Sequence, residues 1–103
     1  MQVEHHGLFG KIFPPERVDL TNVQEFKQAL QSLCEEGYSS IKVDCTRLTM
    51  IDSAGLGSLV MFQKRLKERG GELKIINVNH GYVRHLFDMI ELSKIISIEE
   101  AGI

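Results

Sequence analysis

Apolar residues recur along the chain at two periods. From Val23 they fall at spacings of three and four (Val23, Phe26, Leu30, Leu33), which gathers them on one helical face that Gly37 ends. Thr21, followed three residues later by Gln24, predicts a capping box at that helix's start. The same spacing at Leu56, Leu59, Phe62 and Leu66 predicts a second helix over 55–69, stopped by Gly70-Gly71. Val83, Leu86, Phe87 and Ile90 predict a short third one over 82–90. Between the helices the period changes to two. SIKVDC (40–45), ELKIIN (72–77) and KIISI (94–98) read as strands. LFGKIF (8–13) reads as another, paired in a hairpin with residues around Val3 and stopped at Pro14-Pro15.

Strands alternating with helices define an α/β fold. Strands joined through helices run parallel, with the helices gathered against the sheet. Binding sites in such sheets form outside the carboxyl ends of the strands. At 103 residues the chain is expected to be a single domain over 1–103, with enough apolar content (43%) to bury one core. A net charge of −2 argues against a nucleic-acid partner, whose binders carry a basic stripe. No apolar run approaches the ~18 residues of a membrane span, so no direct membrane contact is expected. The opening MQVEHHGLFG lacks the pattern of a secretion signal, and Cys34 and Cys45 are then expected to be reduced thiols of a cytoplasmic protein.

The chemistry concentrates in MIDSAGLGSL (50–59), at a strand-to-helix turn. A nucleophile elbow would need glycine where Ile51 stands, and none of His5, His6, His80 or His85 lies in a recognisable catalytic signature. A dinucleotide loop needs a third glycine where Val60 stands, and a phosphate loop needs a Gly-Lys-Ser/Thr ending that is absent. Cys34, Cys45, His80 and His85 lack metal-ligand spacing. No metal, cofactor or enzymatic activity is expected. What remains is a helix start, for which Asp52 or Ser53 suits the N-cap.

The whole string is more specific than a cap. DCTRLTMIDSAGLGSL, together with PERVDLTNVQEF, RLKERGG, LKIINV and HGYVRHLFDMIELSKIISI, resembles the STAS domain, and within it the bacterial anti-sigma factor antagonists. The resemblance implies a mixed, mostly parallel β-sheet with helices packed on one side. It further implies a non-enzymatic switch: the unphosphorylated form binds an anti-sigma factor that is also a serine kinase and so frees a sigma factor. Phosphorylation of Ser53 by that kinase releases the complex, and a serine phosphatase resets it. Asp52 adjoins the acceptor, Asp19 falls in the neighbouring acidic loop, and Ala54 leaves a single acceptor in the motif. The family usually ends in a further helix, of which the closing EEAGI leaves little.

At about 100° per residue, a stripe of the second helix continues from Ser53 on the side turned from Leu56, Leu59, Phe62 and Leu66. The partner surface is accordingly expected at Asp19, Asp52, Ser53, Ala54, Gly55, Gly57, Val60, Met61 and Lys64. The alternative is a STAS interaction subunit of a transporter or of a larger sensory or stress-signalling assembly. The Asp-Ser-small-Gly-Leu motif favours the switch.

Overall fold

The computed structural model describes residues 1–99. Seven strands and three helices follow in order: β1 (Gln2–His5), β2 (Gly10–Phe13), β3 (Arg17–Val18), α1 (Val23–Glu35), β4 (Ser40–Asp44), β5 (Met50–Ile51), α2 (Ser53–Glu68), β6 (Glu72–Ile76), α3 (Gly81–Met89) and, after a 3₁₀ turn at Leu92–Lys94, β7 (Ser97–Ile98). The main sheet has the order β1-β2-β4-β6-β7; β1 runs antiparallel to β2 and every other pairing is parallel. This is the mixed, mostly parallel sheet expected. Its inward positions (Ile12, Ile41, Val43, Leu73, Ile75) meet Phe26, Leu30 and Leu33 of α1, Leu59, Phe62 and Leu66 of α2, and Val83 and Phe87 of α3 in one buried cluster. The alternate positions Lys11, Lys42 and Lys74 are only half-buried, so the helices cover one face.

Several local expectations are corrected. The capping box does not form: Asn22, not Thr21, precedes α1, and it makes no side-chain cap bond. Thr21 instead gives its N–H and its hydroxyl to Asp19 Oδ1, while Asn22 accepts from the Asp19 N–H and donates to the Arg17 carbonyl. A short polar side chain competes for backbone groups, and here the turn wins over the helix. Leu8, expected in a strand, sits exposed in the hairpin turn, and β2 begins at Gly10. Ile90, expected on the third helix, follows the last residue of α3 and is exposed, because Glu91 turns the chain in a left-handed conformation. The strand expected over 94–98 shrinks to Ser97–Ile98 because Leu92–Lys94 is spent in a 3₁₀ turn. Most of the closing EEAGI lies outside the described residues.

Pro14-Pro15 ends β2 but not the pairing. Two residues later β3 pairs in parallel with β5 in a separate two-stranded sheet, Arg17 opposite Met50 and Val18 opposite Ile51. Two-residue strands carry no periodicity, so only the folded chain reveals them. Gln63 was equally illegible. Buried on α2, it accepts from the Leu73 N–H (2.7 Å) and donates to the Ile95 carbonyl (3.0 Å), tying helix, sheet and the approach to β7 together.

Asp44, at the end of β4, is another buried polar anchor. It accepts from the N–H and hydroxyl of Thr46 and from Asn77 Nδ2, and Lys11 Nζ lies 3.5 Å away. Burial pushes its carboxyl up, but these donors and the Lys11 charge outweigh burial and hold it below its ordinary value. The neighbouring Cys45 thiol is pushed up to about 12 by burial and by the Asp44 charge, which keeps it protonated and unreactive. Both cysteines are buried and unbridged.

Because folding lowers the Asp44 value, its contribution to stability is present above the unfolded value of about 3.9 and is lost as pH falls through the folded one. Asp44→Asn is therefore expected to lower stability at neutral pH by about 1–3 kcal/mol. Chemical denaturation at several pH values should show the gap to wild type narrowing below roughly pH 4.

Candidate functional site

The β3–β5 pairing exists where two loops must meet. It brings the turn before α1 alongside the start of α2, and Asp52 joins them. The Asp52 N–H donates to the Val18 carbonyl (3.1 Å), continuing the small sheet by one bond. Its side chain then faces two ways: Oδ1 caps the Gly55 N–H (3.0 Å) and Oδ2 takes the Leu20 N–H (3.0 Å) from 32 positions upstream. Asp52 is thus the N-cap of α2, with extended backbone, and the helix begins at Ser53 rather than at residue 55.

Ser53 is consequently the first residue of the helix and not its cap, and it is exposed. The first N–H groups of a helix have no intrahelical acceptor, and the helix dipole makes that end positive. Asp19 lies in the adjoining turn, half-buried. The Thr21 hydroxyl and N–H, and Arg17 Nε at 3.5 Å, hold its carboxyl below the usual carboxylate range. Leu20, between these two acidic anchors, projects into solvent; nothing in the hydrophobic pattern had marked it.

The positions expected on one surface stripe divide. Ser53, Gly57, Val60 and Lys64 are exposed along a single line of α2, with Ala54 and Asp52 half-buried beside it. Gly55 does not belong to that surface. It is buried, and a Cβ there would stand 2.6 Å from Ile51 Cγ1 and 2.9 Å from Val18 Cγ1. The helix starts so close to the β3–β5 sheet that only a glycine fits. Met61 is also displaced: it is half-buried in the groove facing Lys27, Gln28 and Gln31 of α1. Leu56, expected inside, lies half-exposed at the other edge of α2, and the inward positions of the first turns are Gly55 and Ser58. Small residues at the point of closest approach hid the true inner face from a reading based on apolar side chains. Ser58 is only 1% exposed and donates its hydroxyl to the Ala54 carbonyl (2.9 Å).

The histidines lie elsewhere. His5 contacts Glu36 and His6 contacts Glu4 at the β1–β2 hairpin, His80 precedes α3 and His85 lies on it. Among the described residues no group of three or more His, Cys, Asp or Glu is placed to hold a metal ion, and no helix is long and apolar enough to cross a membrane.

The two glycines of the motif should behave oppositely. Gly55→Ala is expected to destabilise by about 1–3 kcal/mol through overpacking against Val18 and Ile51. Gly57→Ala meets nothing within 4 Å and should stabilise the helix, by up to ~1 kcal/mol. Asp52→Ala removes cap and tether together and should cost about 1–2 kcal/mol. Ser53→Ala should leave the melting temperature near wild type, because Ser53 caps nothing. Thermal denaturation of the four variants checks the set.

The family model of the STAS domain matches residues 1–101. The anti-sigma-B factor antagonist of Bacillus subtilis (strain 168) is 32% identical over 81 residues, which cover 79% of this chain and 72% of that protein. Among solved structures, an anti-sigma factor antagonist from Mycobacterium paratuberculosis superposes with a TM-score of 0.83 at 16% identity, over 94% of this chain and 81% of the other. The Bacillus cell fate determinant SpoIIAA in its phosphorylated form does so with a TM-score of 0.75 at 19% identity, over 98% and 90%. These two likenesses concern the fold. With its sheet, its three helices and its Asp-Ser helix start in place, the chain belongs to the STAS domain family.

Proposed function

We propose that this chain is a cytoplasmic anti-sigma factor antagonist that works by binding, without catalysis, and is switched by phosphorylation of Ser53. Unphosphorylated, it binds an anti-sigma factor that is itself a serine kinase and so frees a sigma factor. Phosphorylated, it lets go, until a serine phosphatase restores it. The observation that carries this reading is the exposed Ser53 hydroxyl at the first position of α2, directly after the Asp52 cap. The name of the Bacillus subtilis relative, and the existence of a phosphorylated form of SpoIIAA, agree with it.

The placement suits a switch. A phosphoserine carries roughly −1.5 to −2 charges at neutral pH. At a helix N-terminus the free N–H groups and the dipole accommodate an anion, typically gaining ~0.3–1 kcal/mol, so the fold survives modification. The same charge beside Asp52 and Asp19 makes an already acidic turn strongly anionic. Desolvating it against a partner commonly costs several kcal/mol. Specificity for Ser53 follows from its surroundings: Ala54 has no hydroxyl, and the Ser58 hydroxyl is buried and engaged.

The partner surface in this reading comprises Asp19, Asp52, Ser53, Ala54, Gly57, Val60 and Lys64, with Leu20 added and Met61 at its margin. Gly55 contributes from behind by packing.

Incubation with a serine-kinase anti-sigma factor and ATP is expected to add one phosphate to wild type and none to Ser53→Ala, as read by intact mass. Phosphate appearing on the alanine variant would overturn the assignment. Ser53→Asp should weaken binding only in part, since a carboxylate has one charge and fewer acceptor oxygens than phosphate. Gly57→Gln should keep or raise the melting temperature, yet weaken binding by at least tenfold, about 1.4 kcal/mol in calorimetry. Wild-type affinity in both variants would remove this stripe from the interface.

A further inference from the structure

The furrow between α1 and α2 opens at the Ser53 end of the molecule. Both helices start from the segments that Asp52 ties together through the Leu20 N–H, and they run on side by side. Farther along, the furrow holds a hollow of about 340 Å³ lined by Lys27, Gln28 and Gln31 of α1 and by Met61, Phe62 and Arg65 of α2. A second hollow adjoins it through Gln31 and Arg65 and reaches Cys34, Glu68 and Arg69. The first hollow has two cations in its wall and no carboxylate.

These cations are not neutralised from within. Lys27, Lys64, Arg65 and Arg69 form no ion pair with a carboxylate among the described residues, whereas Lys67, on the opposite edge of α2, pairs with Glu72. Arg65 donates to the neutral Gln31 side chain (3.3 Å), with its guanidinium 5.0 Å from the centre of the Phe62 ring. Arg69 donates to the Cys34 carbonyl (3.1 Å). Two acids stand at the far end of the furrow: Glu68, in the wall of the second hollow, and Glu35, in the last turn of α1. Glu25, two positions before Lys27, lies about 160° round α1 from it. Beside Met61 the field is therefore set by Lys27, Lys64 and Arg65, while the Ser53 end is acidic through Asp19 and Asp52.

We infer that this furrow seats an acidic segment of the same partner that engages Ser53. A carboxylate of that segment lies between Lys27 and Arg65, and an apolar side chain next to it rests on Met61. The identity of the partner rests on the proposed switch; the seat rests on the furrow. A partner lying over Ser53, Gly57 and Val60 reaches it without a break, because Met61 and Lys64 continue the same helix surface. From Ser53 to Arg65 the helix rises about 18 Å. Over that distance the complementary surface must change sign, cationic against Asp19 and Asp52 and anionic against Lys27 and Arg65. A nucleic acid does not match, since its phosphates would also meet the acidic turn. A second copy seated furrow to furrow would set cations against cations.

Calorimetry with a serine-kinase anti-sigma factor compares wild type with Lys27→Glu, Arg65→Gln and Lys42→Glu. The last makes the same change in net charge as the first, but on the opposite face of the sheet. Lys27→Glu is expected to weaken binding about tenfold and Arg65→Gln about threefold, both with a shallower salt dependence than wild type. Lys42→Glu should stay within about twofold of wild type, its charge being remote and screened. All three should melt near the wild-type temperature; Lys27 has no hydrogen bond or ion pair to lose among the described residues. In the complex formed by the isotope-labelled chain, amides of α1 from Lys27 to Gln31 should shift together with those around Ser53, a readout that needs no variant. Wild-type affinity in both furrow variants, unmoved α1 amides, or equal weakening by Lys42→Glu would overturn the inference, and phosphorylation of Ser53 with release of the partner would still leave the switch standing. Weakening confined to the furrow variants, without phosphorylation of Ser53, would retire the switch and keep the seat. A wild-type chain that does not bind the anti-sigma factor would overturn both.

Discussion

One carboxylate sets the geometry on which the functional surface depends. Asp52 caps α2 through Gly55 with one oxygen and fixes the Leu20 N–H with the other. Neither bond is strong alone, since a net hydrogen bond contributes about 1 kcal/mol. Their value lies in sharing one rigid group. Ser53, the acidic turn around Asp19 and the exposed Leu20 are thereby held in one arrangement, though they come from distant parts of the chain. The two-residue strands β3 and β5 exist to deliver Asp52 to that point.

The tight start of α2 has an inner and an outer consequence. Inside, Gly55 and Ser58 let the helix approach Val18 and Ile51 more closely than larger residues would allow. Outside, the same closeness leaves Ser53 and Gly57 standing clear, with little side-chain bulk around them. A partner's backbone can come near, and a phosphate added there meets helix N–H groups rather than a packed core. In the proposed switch a phosphate on Ser53 would act locally, because its surroundings are held in place, and two carboxylates already stand beside it.

Acidic groups gather at the helix-side turn, where Asp19 and Asp52 flank Ser53, while the open sheet face mixes signs: Lys11 and Lys74 there each meet a carboxylate, Asp44 and Glu99. Asp44, buried at the end of β4, anchors Lys11 on the open face and Asn77 after β6.

Much of this was legible in the sequence. The apolar periods gave the three helices and the central strands, because burial of one face is a local property repeated along each element. The motif DSAGLG gave the helix start, because caps and small residues act within a few positions. What escaped depended on distant partners. The β3–β5 pairing, the second bond of Asp52 and the roles of Gln63 and Asp44 all require elements far apart in sequence to be placed side by side. Thr21 was misread because the preceding turn, once tethered, claimed it from the helix. Gly55 and Met61 were misplaced because an amphipathic pattern shows which residues are apolar and not how closely a neighbour approaches. Sequence by itself determined the elements and the chemistry available at the turn. Tertiary structure decided which side chains that chemistry meets, because contact distances and register arise only when separate elements pack.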